Sequence, residues 1–162
     1  NRTFGRLQII SSTWFALTHG ANDGQKTMGI IVLILFSADL ISEIHMPLWV
    51  ILAAASAMSL GTFFGGYKVI KTLGLRITRL KPYQGFAAET GGGIMLAAFA
   101  ILGIPASTTH AITGSVMGAG AARRIRAVRW KVSRQIIFSW VITIPGAAGL
   151  AIAFTYIIHL FV

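Results

Sequence analysis

The chain has 162 residues, 55% of them hydrophobic and only 11% charged, with a net charge of +10. A soluble domain carries about 25% charged residues, so this composition, with a mean hydropathy of +0.75, excludes a soluble globular fold. The absence of cysteine removes disulfides and thiolate metal centres. The basic residues gather at the ends of apolar runs, which is the pattern of membrane-protein loops and not of a nucleic-acid partner.

The first predicted span covers residues 7–40 and is interrupted by "THGANDGQKTMG" at 18–29, where Asp23 and Lys26 are its only charges before Ser37. A charged side chain costs about 2.5–3.5 kcal/mol inside a bilayer and normally faces a bundle interior or a water-filled site. Asp23 and Lys26 are three apart, so they can neutralise each other on one helix face. The alternative is that Gly20 and Gly24 let the backbone unwind, and its carbonyls join Asn22 and Asp23 in a site for a hard cation. The second span, residues 47–67, has no charge and the length of one crossing.

Residues 90–122 are also uncharged, but as one straight helix they would reach about 50 Å, too long for a bilayer. The centre, "GIPASTTH", is turn and helix-start chemistry. The segment therefore reads as a hairpin over 83–122: an arm to 103, a turn at 104–108 and a return arm. Ser107, Thr108 and Thr109 stand at the start of that return arm. They either cap it or, with the free amides and dipole of a helix N-terminus, hold a tetrahedral anion. Glu89 in the first arm either pairs with a cytoplasmic lysine or serves that site. His19 and His110, beside the two motifs, receive no ligand role. The GxxxG at Gly114 and Gly118 reads as a packing face.

The last span is placed at 134–161, with a kink expected at Pro145. Entering and returning at the hairpin puts thirteen of the fourteen Lys and Arg residues on one side. By the positive-inside rule that side is the cytoplasm, with the N-terminus and the loops 68–81 and 123–134. The fold expected is an all-α integral membrane protein, a single membrane domain over 1–162 with three transmembrane helices plus a re-entrant hairpin. Its odd number of crossings would turn a second copy in series upside down, the arrangement of an inverted-repeat transporter. The chain opens at Asn1 without a cleavable signal pattern and is expected to be part of something longer.

"HGANDGQKTMG" at 19–29 and "GIPASTTHAITGSVMG" at 103–118 resemble the paired signatures of the inorganic phosphate transporter (PiT) family. The form "GANDGQK" is similar to the C-terminal repeat of bacterial members. The resemblance implies a secondary transporter in the cell membrane that carries phosphate with Na+ or H+ and has no cofactor. It implies that Asn22 and Asp23 help form the coupling-cation site, as Na+ ligands where Na+ is the coupling ion. By the same likeness, Ser107, Thr108 and Thr109 hold phosphate, and Glu89 is an acid needed for transport. Two such repeats make the site between them, so a complementary half is the expected partner. A passive anion pore and a non-transporting scaffold subunit are the competing readings.

Overall fold

A computed structural model describes residues 2–160, all of whose regular elements are helical. Residue 161, the end of the predicted last span, lies outside the described residues. The elements are α1 (Arg2–Ser37), α2 (Leu48–Lys71), a π-helical turn (Thr72–Ile77), α3 (Pro82–Ile101), α4 (Thr108–Ala121), a 3-10 turn (Ile125–Ala127) and α5 (Trp130–His159). Leu48–Tyr67 and Trp130–His159 are long and apolar enough to cross a bilayer. Phe63 is 81% exposed and Ile144 75%, which suits lipid or a protein partner and not water.

α1 is continuous for 36 residues, about 54 Å at 1.5 Å per residue. The unwinding expected at Gly20 and Gly24 does not occur. A glycine costs a helix about 1 kcal/mol, whereas each backbone polar group freed in hydrocarbon costs several. The polar side chains also find partners without unwinding: the Thr18 hydroxyl donates to Phe15 C=O at 3.0 Å, and Thr27 to Asp23 C=O at 3.1 Å. α1 ends where Asp39 turns left-handed (φ 56°), with Leu40 N–H bonded back to Leu35 C=O. α3 ends in the same way at Gly103 (φ 67°), with Ile104 N–H on Phe99 C=O. These are two Schellman caps.

Pro82–Ile101 and Thr108–Ala121 are the two arms of a helical hairpin. α3 lies parallel to α1. Gln8 meets Gly85, Ser11 meets Glu89, Phe15 meets Gly92 and Trp14 meets Gly93, each pair offset by 77 to 79 residues. Glycine permits that closeness: a Cβ on Gly93 would lie 2.6 Å from Trp14 Cδ1. α4 returns antiparallel, with Gln84 Nε2 donating to Ala119 C=O at 3.1 Å. At this base Ile77, Ala88, Val116 and Val128 form the buried core, and Arg129 N–H bonds Ile77 C=O at 2.9 Å. Phe4 packs edge-on against Tyr83 and Phe86. The start of α1 and the basic loops before α3 and after α4 therefore share one end of the molecule.

Among the described residues, α5 packs on the rest near its foot. Ser133 is buried, and the Trp140 ring lies 3.8 Å, centre to centre, from that of His110. From Val141 to His159 every residue is exposed, and the helix runs through Pro145 without a break. The GxxxG face of α4 is likewise open: nothing approaches the Cβ positions of Gly114 and Gly118. The packing expected there is not made among the described residues.

Candidate functional site

Asp23 ties α1 to the hairpin tip. Its Oδ1 accepts from Lys26 Nζ at 2.8 Å, and its Oδ2 accepts from Thr108 Oγ1 at 2.9 Å. His19 Nε2, one turn earlier, lies 3.0 Å from the same Oδ2. Lys26 also donates to the Ala106 carbonyl at the tip. The local Asp23–Lys26 pair is thus present, but it is one edge of a larger polar cluster with both carboxylate oxygens engaged. Asn22, adjacent in sequence, projects about 100° further round the helix. It is 3% exposed, and its Nδ2 has no hydrogen-bond partner among the described residues. Because α1 stays helical, its carbonyls remain in the helix ladder, and the carbonyl cage expected around Asn22 and Asp23 is not formed.

The three tip residues divide their roles. The Ser107 side chain caps α4 by accepting from His110 N–H at 3.3 Å. Thr108 is 6% exposed and gives its hydroxyl to Asp23. Thr109 is exposed and lines a cavity of about 780 Å³ between α1, α2, the π turn, α3 and α4. The first bond of α4 runs from Ala111 N–H to Ser107 C=O, so the amides of Thr108 and Thr109 precede the helix ladder. Amides at a helix start, together with the positive end of the helix dipole, favour negative charge.

Thr108, Thr109, Glu89 and His19 line this cavity; Asn22, Asp23 and Ser107 do not. Glu89 makes no ion pair among the described residues, so the lysine pairing is absent there. Instead Ser11 Oγ donates to its Oε2 at 2.6 Å. Glu89 also stands apart from the tip. Ser11, its partner, and Asp23, the partner of Thr108, are twelve residues apart on α1, about 18 Å along the axis. One phosphate cannot touch both. His19 was missed as a site residue, although its i,i+4 spacing to Asp23 signals the contact. Ser11 offered no signal, because its partner lies 78 residues away.

A model of the phosphate transporter family matches residues 1–151. The probable low-affinity inorganic phosphate transporter of Rhizobium meliloti (strain 1021) is 53% identical over 147 residues, covering 90% of this chain and 44% of that protein. Its namesake in Bacillus subtilis (strain 168) is 38% identical over 161 residues, 99% of this chain and 48% of that protein. The chloroplastic inorganic phosphate transporter 2-1 of Arabidopsis thaliana is 36% identical over 159 residues, 95% of this chain and 27% of that protein. The chain spans less than half the length of these relatives. No solved structure matches it significantly.

Proposed function

We propose that this chain, which belongs to the phosphate transporter family, is one half of a carrier that moves inorganic phosphate across a membrane, driven by a Na+ or H+ gradient. The observation that carries this reading is the start of α4. There, the amides that precede the α4 ladder stand beside Thr109, which lines the cavity. Phosphate binds at that edge, with Ser107 holding the first turn in shape. Asp23 and Asn22 serve the coupling cation, which competes with the Lys26 ammonium for the Asp23 carboxylate. Glu89 serves the same coupling from lower in the cavity.

In the plasma membrane the basic end faces the cytoplasm, since Arg76, Arg79, Arg123 and Arg126 are exposed there. The hairpin tip stops mid-membrane. It is level with Asp23 and Lys26, eleven residues or about 16 Å before the far end of α1. The exposed faces of α2 and α5 receive lipid and the complementary half.

The test is uptake of labelled phosphate by the complete transporter, this chain in its full reading frame, in sealed proteoliposomes. An imposed Na+ or pH gradient should drive accumulation above the external concentration. Uptake that only equilibrates would identify a pore. A protein that neither binds nor moves phosphate would be a scaffold.

A further inference from the structure

We propose that Ser11 is a positioning residue that holds Glu89 as a separate acidic station for the coupling cation, below the phosphate edge. This rests on the transport reading above. Ser11 is 4% exposed, and its hydroxyl lies 2.6 Å from Glu89 Oε2 and 3.0 Å from Gln8 C=O. The hydroxyl has one proton, and the shorter contact to the carboxylate is the charge-assisted one. It pins Oε2 against α1. Oε1 makes no hydrogen bond with the described residues, and the side chain borders the cavity.

The surroundings point to a cation. Gln8 and Ser12 share a face of α1 at i,i+4 and line the same stretch of cavity, which adds neutral oxygens beside the carboxylate. No cationic side chain lines the cavity among the described residues: α2, the π turn and α4 contribute none, and α1 contributes the one other titratable group, His19. A carboxylate with no counter-ion among the described residues attracts a small cation and repels a bare phosphate dianion. Cation and phosphate then occupy levels about 18 Å apart along α1. Asp23, by contrast, has both oxygens engaged.

The experiment uses the complete transporter in proteoliposomes, energised by whichever of Na+ or H+ drives the wild type. Ser11→Ala should shift the half-saturating value for that cation by about tenfold, the effect of losing one hydrogen bond to a charged group. The half-saturating phosphate concentration should stay within about twofold. Ser11→Thr, which keeps the hydroxyl, should restore the wild-type value. Should the alanine variant not fold, Ser11→Cys keeps the shape with a weaker donor and should show the same selective shift. A cation value unchanged in a folded Ser11 variant overturns the proposal, as does an equal shift for cation and phosphate. A wild type that moves no phosphate under either gradient would instead overturn the transport reading.

Discussion

Thr108 and Thr109 are neighbours of identical chemistry, yet Thr108 bonds Asp23 while Thr109 lines the cavity, and valine substitution separates the two. Thr108→Val keeps the shape of a side chain that is 6% exposed and deletes its 2.9 Å bond to Asp23 Oδ2. That oxygen keeps only His19. A hydrogen bond to a charged group contributes about 1.5–3 kcal/mol, and the low exposure leaves little water to replace it. The loss should therefore appear in stability, as a thermal midpoint several degrees lower by tryptophan fluorescence in detergent. Thr109→Val removes an exposed donor that has no acceptor among the described residues, so the midpoint should hold while phosphate affinity falls at least about tenfold. Equilibrium binding of labelled phosphate to the complete transporter reads the second effect. A wild-type midpoint for Thr108→Val would refute the tie between α1 and the tip. Unchanged phosphate affinity in Thr109→Val would reduce the start of α4 to an ordinary capped helix.

Asp23→Asn with Lys26→Gln removes both charges together; the variant should insert and express well, and uptake that kept its cation dependence would show that the pair only neutralises itself. Single cysteines replacing Arg76 and Arg126 should react with an impermeant reagent from one side and a cysteine at Glu43 from the other; Arg76 and Arg126 labelling from opposite faces would rule out the hairpin. Gly93→Ala drives a Cβ to 2.6 Å from Trp14 Cδ1 and 2.7 Å from Nε1. Overpacking at about 1–3 kcal/mol against about 1 kcal/mol of regained helix propensity gives a net loss of up to about 2 kcal/mol; a thermally stabilised variant would contradict the close α1–α3 approach.

Much of this architecture is legible in the sequence. Gly103 and Pro105 mark a turn by their own dihedral preferences, and the Lys/Arg clusters mark one end, so the hairpin followed from local chemistry and charge. The GAND segment was less transparent. Gly20 and Gly24 permit unwinding, but whether a helix unwinds depends on what its polar groups find elsewhere, and here Ala106 and Thr108 supply it from 80 and 85 residues away. The separation of Glu89 from the tip was legible in principle, since an arm running to 103 already puts fourteen helical residues, about 21 Å, between Glu89 and the turn. The open GxxxG face had the mirror-image problem, since spacing marks a contact surface without naming which helix covers it.

The long sequence gap between α1 and its tip partners has a consequence for the order of synthesis. At about 5–20 residues per second, Ala106 leaves the ribosome roughly 4–16 s after Lys26, the pair being 80 residues apart. During that interval α1 must wait with a carboxylate and an ammonium and no hairpin to receive them. Its own spacing makes the wait tolerable: Lys26 and His19 reach Asp23 from within the same helix, at 2.8 and 3.0 Å. The motif that later anchors the tip is therefore also a travelling neutraliser, complete before its partners exist. A nascent chain stalled after α2 should already hold α1 across the membrane, and Asp23→Asn alone should make that intermediate slip.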